Sequence, residues 1–248
     1  MILVGKTFIE PTVFPDGTQQ VWHLPEEVLK GDAVFWKYEN DSELMTVCQL
    51  GQLMGGAKTL IVPFLPYGRQ DKDVNNESCF GLHTFIKILS GFFRKIQTVD
   101  AHSHEFHGIC GENYLDYDDV FPTDHIRFAV SDSDSDIACY PDKGAMQRYG
   151  HGVCLPSVSC RKVRDQGSGA IISIELDTNG LSVVDKNVII IDDICDGGRT
   201  FIENAKLLKQ AGAKQVCLYV SHGIFSKGTQ ILLDSGIEMI YTTEGRVV

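Results

Sequence analysis

The residues best equipped for chemistry lie where Val188-Ile189-Ile190-Ile191 runs into Asp192-Asp193-Ile194-Cys195-Asp196-Gly197-Gly198-Arg199-Thr200, with Phe201-Ile202-Glu203 following. The apolar run reads as a buried strand and the residues after Thr200 as a helix, so the polar block is a strand-to-helix turn. Ligands of open α/β sheets bind at the C-terminal ends of strands, where this strand delivers Asp192 and Asp193. Gly197 and Gly198 permit close backbone approach, and their amides, with a helix N-terminus behind them, form a nest for a phosphate monoester. Thr200 can add a hydroxyl. The carboxylates would repel a phosphate and suit sugar hydroxyls or a cation, so a sugar phosphate satisfies both halves. An ordinary corner with an acidic N-cap is the plainer alternative, but two acids plus Gly-Gly-x-Thr exceed what capping needs. The turn is not a Walker A loop, since the Gly-Lys-Ser/Thr ending is missing.

Two other segments carry charge in loop-like contexts. Val62-Pro63-Phe64-Leu65-Pro66-Tyr67-Gly68-Arg69-Gln70-Asp71-Lys72-Asp73 follows an apolar run, and its Pro-Tyr-Gly stretch marks a loop. Arg69 offers a planar fork for phosphate oxygens and Gln70 an amide, although on spacing alone a solvated charged turn is the better explanation. Cys160-Arg161-Lys162-Val163-Arg164-Asp165 reads as a mobile basic surface loop.

The Asp192 to Thr200 turn resembles the phosphoribosyl pyrophosphate loop shared by type I phosphoribosyltransferases and ribose-phosphate pyrophosphokinases. That resemblance implies ribose contacts from Asp192 and Asp193, and 5-phosphate contacts from Asp196, Gly197, Gly198, Arg199 and Thr200. Collinear matches elsewhere favour the pyrophosphokinases. The Arg69 segment resembles their ATP-binding loop, which phosphoribosyltransferases lack, implying nucleotide contacts from Arg69, Gln70 and Asp71. Phe14-Pro15-Asp16-Gly17-Thr18 resembles the early nucleotide loop, adding Asp16 and Thr18. Asn40 to Met45 resembles the start of the helix after the second strand, and Val99-Asp100-Ala101-His102 the Asp-x-His element. Tyr140-Pro141-Asp142-Lys143-Gly144-Ala145 resembles the Pro-Asp-x-Gly segment. His102, also at the nucleotide, and Asp142 are thereby implied as magnesium ligands. Cys160 to Asp165 resembles the flexible catalytic loop, with Lys162 and Arg164 closing over the reacting phosphates, and Ser221 to Ser226 the segment near adenine. The implied activity moves a diphosphate from ATP to carbon 1 of ribose 5-phosphate with Mg2+ as cofactor. The implied assembly is a homo-oligomer, a dimer or larger.

Two departures qualify the resemblance. Thr18 stands where the family usually has glutamate, which removes a group that repels the guanine carbonyl, so better tolerance of GTP is expected. The chain also ends soon after Tyr241-Thr242-Thr243, so hexamer assembly and allosteric control by phosphate or ADP are not carried over. The rival readings are a nucleobase phosphoribosyltransferase and a non-catalytic regulatory relative. Retention of Lys162, Arg164, His102 and Asp142 together argues against the second.

The elements that must position these groups alternate. Apolar runs at Thr59 to Pro63, Lys95 to Asp100, Asn187 to Asp193 and Gln215 to Val220 are separated by amphipathic stretches such as Phe80 to Leu89 and Thr200 to Gln210, with Gly212 as a stop signal. The pattern predicts α/β architecture, and the resemblance implies two phosphoribosyltransferase-like parallel-sheet domains in tandem, 1–130 and 131–248. Ser131 to Asp136 reads as a solvated loop at their junction. With 248 residues, 43% of them hydrophobic, the chain can bury one large core or two modest ones. A formal charge of -11 argues against a nucleic-acid or membrane-surface partner. Eight cysteines without a C-x-x-C pair suit a reducing, cytoplasmic compartment. There is no apolar leader and no window long enough to span a membrane, so a soluble protein is expected.

Overall fold

The computed structural model describes residues 1–56, 58–73, 77–164 and 171–248, with the backbone alone for 162–164 and 171–173. The chain divides into Met1–Phe121 and Pro122–Val248.

The first unit contains β1 (Ile2–Val4), β2 (Thr7–Phe8), β3 (Thr12–Val13), β4 (Gln19–Gln20), α1 (Glu26–Leu29), β5 (Ala33–Trp36), α2 (Glu43–Leu53), β6 (Thr59–Ile61), α3 (Gly81–Ser90), β7 (Lys95–Val99), α4 (Glu105–Glu112) and β8 (Asp116–Val120). Its main sheet runs β2-β1-β5-β6-β7-β8. Strands β5 to β8 are parallel, whereas β1 pairs antiparallel with both neighbours. Strands β3 and β4 form a separate antiparallel ribbon. Alternation along the strands buries Val34, Trp36, Leu60 and Ile96 in one core. Helix α3 adds Leu82, Phe85, Ile86 and Leu89 at helical spacing. Each such side chain stabilises the unit by about 1.5–3 kcal/mol. At the edge, β8 carries exposed Asp116 and Asp118, charges that discourage further strand pairing.

The second unit contains α5 (Thr123–Asp132), β9 (Ile137–Tyr140), α6 (Lys143–Tyr149), β10 (Ser157–Arg164), β11 (Ile171–Asp177), β12 (Asn187–Cys195), α7 (Arg199–Gln210), β13 (Gln215–Gly223), α8 (Gln230–Leu233), β14 (Met239–Thr242) and β15 (Gly245–Arg246). The sheet order is β11-β10-β9-β12-β13-β14-β15. Strands β9, β10, β12, β13 and β14 are parallel, and β11 and β15 are antiparallel edges. Both faces are covered. Val188 and Ile190 of β12 enter one core with Ala205 and Leu208 of α7, while Ile189 and Ile191 enter the other with Ala145 and Tyr149 of α6. A strand buried on both sides explains the uninterrupted Val-Ile-Ile-Ile run.

The two expected α/β units are therefore present, with parallel centres, antiparallel strands at one edge of the first sheet and antiparallel strands at both edges of the second. Three local expectations change. The boundary expected between residues 130 and 131 falls inside α5, whose Ile126 and Ala129 are buried in a core of the second unit. Ser131 to Asp136 is not a solvated loop throughout. Ser133 and Ser135 are buried, with their hydroxyls 2.7 Å apart, and Ser133 also donates to the Ala129 carbonyl at 2.6 Å. Cys160 to Arg164 is strand rather than loop: Lys162 lies opposite Ile174, and Arg164 opposite Ile171. Its period-two pattern accounts for this, since Val158 and Cys160 are buried while Ser159 and Arg161 are not. Asp165 and the side chains of Lys162 and Arg164 lie outside the described residues. No described helix is long and apolar enough to cross a membrane.

Candidate functional site

In chain order the parallel strands of the second unit are arranged second-first-third-fourth-fifth, so the direction of winding reverses between β9 and β12. Crevices at such a reversal, outside the C-terminal ends of the strands, are the ligand sites of open α/β sheets. Strand β9 ends at Tyr140, followed by Asp142, and β12 ends in the Asp192 to Thr200 turn. The fold thus brings Asp142 and the Asp192 to Thr200 turn to the ends of adjacent strands.

Gly198 is the N-cap of α7, with φ 76° and no side-chain cap. An acidic N-cap is excluded. The first-turn amides of α7 have no carbonyl partner within the helix, and the helix dipole adds partial positive charge there. Within the strand, adjacent residues leave on opposite sides, so the Asp192 and Asp193 side chains diverge. Asp192 is half-buried and Asp193 buried, and Asp192 Oδ1 accepts the Asp193 N–H at 3.0 Å. Burial, followed by the nearby Asp196 and Asp192 carboxylates, pushes the Cys195 thiol up to about 12. Asp196 and Arg199 are exposed and Thr200 half-buried.

The turn is buttressed by the segment after β13. Ile224 and Phe225 both donate backbone N–H groups to the Cys195 carbonyl, at 2.8 and 3.1 Å. Leu232 of α8 packs against Gly198, and the Lys227 stem lies beside Gly197. Lys227 lies just beyond the Ser221 to Ser226 segment, and nothing local marks a lysine in a polar turn as facing a distant glycine.

Asp142 is the N-cap of α6, and its Oδ1 accepts the Ala145 N–H at 3.1 Å. A metal role for this carboxylate must therefore be shared with capping.

In the first unit, the Arg69 loop follows β6 and the Asp100-Ala101-His102 segment follows the neighbouring strand β7. They lie side by side: a Cβ on Gly68 would sit 3.4 Å from the His102 Cβ. Both loops carry backbone strain, with φ of 63° at Tyr67 and 50° at Asp100. Arg69 and His102 are exposed, and Arg69 has no ion pair among the described residues. The Gln70 amide lies over the start of α3, where a Cβ on Gly81 would collide with it. Asp71 is half-buried beyond it. Asp119 of β8 was not anticipated. Its Oδ1 accepts the Ala101 N–H at 3.0 Å, and its Oδ2 lies 3.4 Å from His107 Nε2. It fastens the loop from a strand 18 positions away, a relation that leaves no local signal.

Asp16 and Thr18 occupy the exposed β3–β4 turn and bond to each other. Asp16 Oδ1 accepts the Thr18 N–H at 3.0 Å and its hydroxyl at 2.7 Å. These two bonds hold the Asp16 carboxyl below its usual range. The Thr18 hydroxyl proton is thus engaged within the turn, leaving the oxygen as an acceptor.

A model of the phosphoribosyl transferase domain family matches residues 152–243. The chain is 26% identical to the ribose-phosphate pyrophosphokinase of Pyrococcus abyssi over 242 residues, covering 89% of this chain and 78% of that protein. It is 32% identical over 193 residues to ribose-phosphate pyrophosphokinase 3, chloroplastic, of Oryza sativa, covering 74% of this chain but 46% of the plant protein. The crystal structure of phosphoribosylpyrophosphate synthetase from Mycobacterium smegmatis superposes with a TM-score of 0.76 at 23% identity, covering 95% of this chain and 80% of that one. That likeness extends the shared fold over both units.

Proposed function

We propose, from the premise that this chain belongs to the ribose-phosphate pyrophosphokinase family, that it transfers the β,γ-diphosphate of ATP to ribose 5-phosphate, forming 5-phospho-α-D-ribose 1-diphosphate and AMP. One observation carries this beyond sugar-phosphate binding. The turn at Gly198 is accompanied by a second α/β unit in which the Arg69 and His102 loops lie together. A nucleobase phosphoribosyltransferase has no use for that pair of loops.

The carbon 1 hydroxyl oxygen of ribose 5-phosphate attacks the β-phosphorus of ATP. The new O–P bond forms as the bond from β-phosphorus to the bridging oxygen breaks, AMP leaves with the electron pair, and the hydroxyl proton passes to solvent. Such a displacement needs alignment and charge stabilisation rather than a covalent intermediate. In our assignment the amides of Asp196 to Thr200 hold the 5-phosphate, and Asp192 accepts hydrogen bonds from the ribose hydroxyls. Asp193, buried on the other side of the strand, supports the turn. Arg69, Gln70 and Asp71 hold the nucleotide with Asp16 and Thr18, and Lys162 and Arg164 neutralise charge on the transferring group.

The protein groups suit magnesium held mainly by phosphate oxygens and water. His102 and Asp142 are the residues assigned to it, each supplying a single donor to a hard cation. Bound magnesium supplies charge neutralisation on the triphosphate. A cytoplasmic location and assembly into a dimer or larger oligomer complete the proposal.

The test is incubation with ATP, magnesium and ribose 5-phosphate while AMP is followed. AMP should appear in step with the diphosphorylated sugar and only when ribose 5-phosphate is present. No AMP, or AMP release without the sugar, would overturn the assignment.

A further inference from the structure

We infer that Lys227 is a binding residue for the 5-phosphate of the sugar, a role that rests on the ribose 5-phosphate assignment of the Gly197-Gly198 turn.

The segment carrying Lys227 is pinned to that turn. Ile224 and Phe225 donate to the Cys195 carbonyl at 2.8 and 3.1 Å, where β12 gives way to the turn. A further backbone bond, from Gly228 N–H to the Phe225 carbonyl at 2.7 Å, closes a tight turn around Lys227, with Phe225 at φ 47° and Gly228 at φ 73°. On the far side Leu232 rests on Gly198, its Cδ2 2.9 Å from where a Cβ would project. Backbone bonds and packing thus hold the segment on both sides of Lys227.

The lysine stem follows the same direction. Its Cε and Cδ lie 3.7 and 3.9 Å from the Cβ position of Gly197, and the ammonium nitrogen is one bond beyond Cε. Lys227 is exposed, and among the described residues its ammonium has no ion pair or hydrogen bond. The site needs such a charge. A sugar phosphate entering there meets the Asp192 and Asp196 carboxylates, whose repulsion the partial charge of a helix N-terminus opposes only in part. An ammonium is a compact charge with three donors on a flexible stem, able to reach a phosphate oxygen without fixed geometry.

Isothermal titration with ribose 5-phosphate tests this on the wild type, Lys227→Ala and Lys227→Arg, each checked for an unchanged unfolding temperature. Lys227→Ala should raise Kd about tenfold and Lys227→Arg less than about threefold. In the AMP assay the KM for ribose 5-phosphate should rise in parallel, with the KM for ATP unchanged. A Kd within twofold of wild type for Lys227→Ala would overturn the role and leave the function standing. If the wild type binds the sugar phosphate but releases no AMP, the proposed reaction fails and the same titration still decides Lys227. If the wild type does not bind ribose 5-phosphate, both fall.

Discussion

Gly198 answers to two constraints at once. Its φ of 76° lies in the left-handed region, which costs a residue with a Cβ about 1–2 kcal/mol. A Cβ there would also come within 2.9 Å of Leu232 Cδ2, so the α8 side chain must shift to accept it. Gly198→Ala should therefore lower unfolding stability by about 1–3 kcal/mol, combining that conformational cost with modest repacking. Gly198→Val adds a branched side chain at the mouth of the amide nest and should abolish ribose 5-phosphate binding in a protein that still folds. Circular dichroism and calorimetry on the two variants check this. A folded Val variant with wild-type affinity would remove the turn from the phosphate site.

Helix α6 places capping and proposed metal binding on one carboxylate. Asp142 Oδ1 accepts the Ala145 N–H, and loss of an N-cap acceptor costs about 1 kcal/mol. Asn keeps an acceptor oxygen but not the charge, whereas Ala keeps neither. Asp142→Asn should unfold near the wild-type temperature yet require several-fold more magnesium for half-maximal rate. Asp142→Ala should show the same magnesium defect together with a lower unfolding temperature. If Asp142→Asn follows the wild-type magnesium curve, the carboxylate serves the helix alone.

Across the whole molecule, thiol chemistry reports whether both units are closed. Cys79 and Cys154 are exposed, and the other six cysteines are buried. Burial pushes Cys48 up to about 11, and Cys110 and Cys195 up to about 12. Alkylating agents react with the thiolate, so a raised pKa and a closed core act in the same direction. Brief iodoacetamide treatment at pH 7.5 should modify Cys79 and Cys154 in the native protein, and all eight cysteines after denaturation. Peptide mass spectrometry reads the sites. Modification of native Cys195 at a rate comparable to Cys79 would show that the core behind the phosphate turn opens readily.

The amino-acid order by itself determined what depends on near neighbours. A double-sided apolar run, a glycine pair and an amphipathic stretch specify β12, its turn and α7, because pleat alternation, left-handed backbone and helical periodicity are set within a few residues. The strand ending at Arg164 is also locally encoded, by alternating burial that its charges mask. Tertiary structure decided which segments meet. The reversal of strand order sets Asp142 beside the turn after β12, and Gly68 rests against His102 because β6 and β7 are sheet neighbours. The unit boundary precedes α5 because Ile126 and Ala129 find their apolar partners in the later strands. Asp119 beneath the His102 loop and Lys227 over Gly197 belong to the same class. Such contacts are selected by burial and strand pairing between segments far apart in sequence, and local propensity carries no record of the partner.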